Sequence, residues 1–216
     1  MSDQLVEHPW RASKGRIEAF SDGVFAIAIT LLVLELRPPE IAGEFSRELL
    51  EEWPSYLAYL AAFVMIGSVW LHHHLVFQRV RQVDFGLLLL NLGLLLASSV
   101  LPFPTAVLSS AWRNGDNGDR VVASLFFGLL SIVISLSYLS LCMYLARHQD
   151  LLSDVGASSF LLGERKRGLI AIAGTIVASL LAFVSPLITL LLLAVTPLFY
   201  LSTVPRTSTA QAEADT

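Results

Sequence analysis

The sequence predicts an all-α integral membrane protein with six transmembrane helices. Three observations carry that reading. Hydrophobic residues make up 55% of the 216 positions, and mean hydropathy is +0.67. Charged residues make up only 15%, against roughly 25% in ordinary soluble domains. The apolar residues also fall into long runs almost free of charge, the direct signature of membrane spans. A soluble domain of this length could not hide so much apolar surface, whereas a bilayer is itself the apolar solvent.

Six runs follow in order: Ile17–Leu36, Tyr56–Leu75, Phe85–Val107, Val121–Ala146, Leu169–Val184 and Leu187–Leu201. At about 1.5 Å per residue, twenty helical residues cover roughly 30 Å, the thickness of the hydrocarbon layer. The first run is too long for a signal peptide, follows a polar start and has no clear cleavage site, so it reads as a retained span. The fifth and sixth are short and separated only by Ser185-Pro186. They form either a tight hairpin, for six spans, or one kinked helix, for five. Residues 1–15 read as a cytoplasmic N-terminus, 16–202 as the membrane domain and 203–216 as a small, polar, disordered cytoplasmic tail.

Loop charge sets the orientation. With six spans, one side collects ten cations: Arg11, Lys14, Arg16, Arg79, Arg81, Arg147, Arg165, Lys166, Arg167 and Arg206. The other side holds four: Arg37, Arg47, Arg113 and Arg120. The bias places both termini in the cytoplasm, which requires an even number of spans. Net charge is −4, so nothing marks a nucleic-acid partner. Cys142 is the single cysteine, and no intrachain disulfide can form. The turn-rich loop Asn114–Asp119 is placed outside, and it lacks the length and closing glutamate of a calcium loop.

Chemistry concentrates at the start of the first run. Asp22 lies six residues after Arg16, about 9 Å deeper along a helix. A carboxylate at that depth needs a partner. The second run ends in Trp70-Leu71-His72-His73-His74, and the third begins six residues before Asn91. Asp22, the histidines and Asn91 should therefore share one level of the inner leaflet. The expectation is a buried hydrogen-bonded cluster in which one histidine faces Asp22 and the others face the interface. Consecutive histidines are rotated by about 100° and cannot converge on one metal ion; helical metal pairs need a spacing of about four. Neither a metal nor a cofactor is expected.

Above Gly23, Ile27, Thr30 and Leu34 share one helical face, with Leu31 offset by one. Pattern alone makes this an ordinary apolar stripe. No Thr-Val-Gly-Tyr-Gly carbonyl filter occurs in the chain. Glu40, Glu44, Glu48 and Glu52 recur every four residues, with Ile41, Phe45 and Leu49 one position behind. They predict a short amphipathic external helix with an acidic face, which is either simply solvated or a vestibule that concentrates cations.

Arg16-x-x-x-Phe20-Ser21-Asp22 resembles the R-x-x-x-F-S-D signature of the endosomal/lysosomal potassium channels and their bacterial relatives. Trp70-x-x-His73-x-x-x-Phe77 resembles the end of that family's second span, and Asn91 with Pro102-Phe103-Pro104-Thr105 its third. The resemblance is rich in motifs from Arg16 to Thr105 and topological beyond. It implies a potassium-permeable cation channel without a carbonyl filter, in the plasma membrane, with potassium and other monovalent cations as permeating ions. Animal members carry two six-span repeats. This chain carries one F-S-D motif, which implies the bacterial branch and a homotetramer. By that resemblance Ile27 forms the narrowest apolar ring, Thr30 a polar ring and Leu34 an outer ring. Helix rotation decides whether Thr30 or Leu31 faces the axis. Arg16, Phe20, Ser21, Asp22, Trp70, His73 and Asn91 are then structural. The competing reading is a proton-coupled transporter with Asp22 and His73 as a relay. An enzyme is not expected, because the chain lacks paired inward carboxylates and a helical His/Glu metal pattern.

Overall fold

The computed structural model describes residues 13–36, 38, 45–153 and 156–202. Among the described residues it contains eight α-helices: α1 (Lys14–Leu31), α2 (Phe45–Glu51), α3 (Trp53–Gln78), α4 (Phe85–Ser99), α5 (Pro102–Asn114), α6 (Asn117–Arg147), α7 (Gly156–Leu180) and α8 (Pro186–Ser202). Five helical segments are long and apolar enough to cross a membrane, and α8 adds a shorter apolar helix of 17 residues. The protein is thus an all-helical multi-pass membrane protein.

Two of the first three predicted spans are less regular than the sequence suggested. The first tightens into a 3-10 turn at Leu32–Glu35. The third breaks at Val100-Leu101 into α4 and α5, and it runs on to Asn114. The break has a local cause. Pro102 and Pro104 bring no amide hydrogen to the helical ladder. The hydroxyls of Ser98 and Thr105 donate to Leu94 O and Leu101 O at 2.8 Å, bending the backbone further.

The external loop expected at Asn114–Asp119 is mostly helix. Asp116 caps α6, accepting from the Asp119 amide at 2.9 Å while the Asp119 side chain accepts from the Asp116 amide at 3.1 Å. The expected acidic helix lies in part outside the described residues, which do not include Glu40 and Glu44. Glu48 lies in α2. Glu52 is not part of a free acidic face, because Arg113 of α5 binds it at 3.2 Å and both are mostly covered.

Ser185-Pro186 is a hairpin turn rather than a kink. A 3-10 turn at Leu181–Phe183 ends α7, and α8 folds back against it. The Thr189 hydroxyl donates to Ala178 O at 2.9 Å across the pair. The first half of the fold packs α1 on α3 and α4; the second packs α6, α7 and α8 together, with α3 and α6 touching both halves. At the basic end, the α3–α4 and α6–α7 connections are stitched by Arg81 N to Leu151 O at 2.7 Å and Ser153 N to Arg79 O at 2.8 Å.

Candidate functional site

The α1 helix has two unlike faces. Ile17, Ser21, Phe25 and Ala28 recur at helical spacing and are buried on the helix that packs against α3 and α4, and Leu32 continues the line in the turn that packs against α3 and α5. The opposite stripe of Phe20, Gly23, Ile27, Thr30 and Leu34 is uncovered, with Ile27 61% and Leu34 71% exposed. Leu31 is 42% exposed, so both Thr30 and Leu31 remain at the open face. Side chains three apart eclipse in a 3-10 turn, so the turn at Leu32–Glu35 draws Leu34 towards the line of Leu31. The Thr30 hydroxyl donates to Ile27 O at 2.9 Å. Its oxygen keeps lone pairs that a cation could use.

A polar brace holds the buried face. Asn91 on α4 lies between α1 and α3: its Nδ2 donates to Ser21 Oγ at 3.0 Å, and its Oδ1 accepts from His73 Nε2 at 2.8 Å. With the amide so placed, His73 carries its proton on Nε2. His73 stacks on Phe77 with centroids 4.2 Å apart and meets the edge of Phe25 at 5.5 Å. Ser21, His73 and Asn91 are all buried.

The expected link between Asp22 and a histidine does not form. Asp22 is exposed, and its Oδ1 accepts from the Trp70 indole at 2.8 Å. Ser21, one residue earlier, turns about 100° inward and takes the buried position. A neutral serine crosses into the packed interior at far less cost than a carboxylate. Arg16 and Phe20 share the open side of α1, and among the described residues Arg16 has no ion-pair partner.

His72 was expected at the interface and is instead buried in a second cluster. Its Nδ1 lies 2.8 Å from Glu164 Oε2 of α7, and Tyr138 of α6 donates to the same oxygen at 2.8 Å. Arg167 binds the other oxygen, Oε1, at 2.5 Å. Tyr200 of α8 stacks on the imidazole at 4.2 Å. Glu164 and His72 are both fully buried. Sequence reasoning passed over Glu164, which stands beside Arg165, Lys166 and Arg167 where only the cations were counted for orientation. The signal that could have found it is its place one turn before the apolar run that opens at Leu169. His74 is exposed and bonds Gln78.

The profile of the endosomal/lysosomal potassium channel TMEM175 matches residues 16–102, the stretch that contains α1, α3, α4 and the Ser21–Asn91–His73 brace. A potassium channel of Streptomyces collinus is 37% identical over 188 residues, 86% of this chain and 90% of that relative. The chain belongs to the TMEM175 family. A crystal structure described as a lysosomal potassium-selective channel TMEM175 homolog, from Chamaesiphon minutus, superposes with a TM-score of 0.75 at 32% identity. It covers 87% of this chain and 95% of that one. The TMEM175 protein of Homo sapiens, described as an endosomal/lysosomal proton channel, is 34% identical over 136 residues, 58% of this chain and 27% of that protein. The chain therefore resembles the bacterial TMEM175 members nearly end to end and the animal one over about a quarter of its length.

Proposed function

We propose that this protein is a potassium-permeable cation channel whose pore is lined by α1 in a homotetramer. The observation that carries the reading is the two-faced α1 helix. One side is pinned by buried hydrogen bonds. The other offers Ile27, Thr30, Leu31 and Leu34 uncovered in a single protomer. Four such stripes around an axis make a narrow apolar neck. Water leaves such a neck readily, which gives a gate without moving parts. Thr30 oxygens replace part of an ion's hydration shell, and the exclusion of competing cations at that ring is modest. The bacterial relatives described as potassium channels support potassium as the ion.

Asp22 and His73 have other hydrogen-bond partners, which weighs against a relay between them and so against a proton-coupled transporter. The animal relatives described as proton channels make proton permeation the second quantity to measure. Its loop charges support a topology with both termini in the cytoplasm, and its bacterial relatives described as potassium channels support the plasma membrane as its location. It works as a passive conduit and not as an enzyme.

The test is flux from potassium-loaded liposomes, comparing wild type with Thr30→Ala and Ile27→Asn. Electrogenic potassium flux that both substitutions alter supports the α1 pore. Silence from a verified tetramer, across pH and voltage, counts against it.

A further inference from the structure

The α6 and α7 helices meet at the basic end of the molecule in a groove of about 150 Å3, lined by Arg147 and Arg165 and by Cys142, Met143, Leu161 and Leu162. Arg147 closes α6. Arg165 stands nine residues into α7, roughly 14 Å from its start. Its neighbour Glu164 is occupied by His72, Tyr138 and Arg167. Among the described residues neither Arg147 nor Arg165 has a carboxylate partner, and both are exposed. Two unpaired guanidiniums on one groove at the edge of a bilayer call for an anion.

The surface leading away from the groove is apolar. On α6 the exposed stripe below Arg147 passes Ser140, Leu136, Val133 and Leu129. Its hydroxyl is satisfied internally, since Ser140 donates to Leu136 O at 2.8 Å. On α7 the exposed stripe from Arg165 passes Leu169, Ala173 and Ile176. Each stripe thus has one cation at its basic end and an uncharged track beyond it.

We infer that this groove binds an anionic phospholipid, its phosphate held by Arg147 and Arg165 and its acyl chains laid along the α6 and α7 stripes. Basic clefts between transmembrane helices suit lipid headgroups in this way, and a guanidinium holds a phosphate through two parallel hydrogen bonds. The site lies away from α1, so it stands whether or not α1 lines a pore.

The experiment is native mass spectrometry of the purified protein from micelles containing equal phosphatidylglycerol and phosphatidylcholine. Wild type should retain phosphatidylglycerol in preference. R147Q/R165Q should lose that retention roughly thirtyfold, at about fivefold per guanidinium. K166Q, which removes a charge from the same turn but not from the groove, should retain it. Should R147Q/R165Q fail to assemble, R165Q alone is read with R147K/R165K as the folded reference. Equal retention by wild type and the arginine variants would overturn the site. So would equal retention of the two lipids by wild type, or release of phosphatidylglycerol by millimolar inorganic phosphate.

Discussion

Asn91 serves two partners at once, and that makes it the residue on which the α1 brace depends. Asn91→Ala strips Ser21 and His73 of their bonds together. Each buried polar group left unsatisfied costs about 1 to 3 kcal/mol, so with two orphaned groups the variant should lose about 2 to 6 kcal/mol. Thermal unfolding in detergent, followed by circular dichroism, measures the drop. Glu164 is the counterpart in the other half. Glu164→Ala would leave His72, Tyr138 and the half-covered Arg167 facing an empty site. Removing one member of a buried ionic cluster costs about 3 kcal/mol or more. The same melt should rank it with Asn91→Ala and well below Glu164→Gln, which keeps an oxygen acceptor for Tyr138. Asp22 behaves differently because it is exposed and holds one indole hydrogen bond.

At the scale of elements, close approach sets the tolerances. Gly128 on α6 lies directly against Ser179 of α7, where any added side-chain carbon would collide with the serine hydroxyl. Gly128→Val should wedge the two helices apart at a cost of about 2 kcal/mol, read in the same detergent melts. Gly23 on α1 has nothing within 4 Å in the protomer. Gly23→Ala should therefore leave the isolated protomer's melting point unchanged or slightly raised, since alanine favours helix. If copies of α1 line an axis, the same change should still alter ion flux. A variant normal in both assays would speak against the open face being lined by copies.

For the whole molecule the expectation concerns assembly and conduction. Ile27→Asn should raise potassium conductance by wetting the apolar neck; unchanged current in reconstituted vesicles would mean that Ile27 does not face the axis. Asp22→Ala should reduce the tetramer fraction, measured by light scattering during size exclusion, more than it changes ion preference. A stable tetramer with altered preference would assign Asp22 to the ion path instead. Both outcomes are distinguishable from misfolding, because neither side chain is packed in the protomer core.

Much of this protein was legible in the sequence. Apolar run length and loop charge are local properties that a bilayer reads directly, so membrane class, helical content and the approximate spans followed from them. The spacing of Asp22, the histidines and Asn91 put those polar side chains at one depth, and a brace formed there with Ser21 in the place expected of Asp22. Depth along an axis does not settle which way a side chain points around it. Rotation therefore had to come from packing, which turned Ser21 inward, left Asp22 to Trp70 and sent His72 away from its neighbour towards Glu164. Glu164 was invisible for the same reason. Apart from Arg167, its partners His72 and Tyr138 lie 92 and 26 residues away, and only the meeting of α3, α6 and α7 brings them together. The α7–α8 hairpin was decided the same way, because a proline marks where a helix can yield but neighbouring helices determine how far it turns.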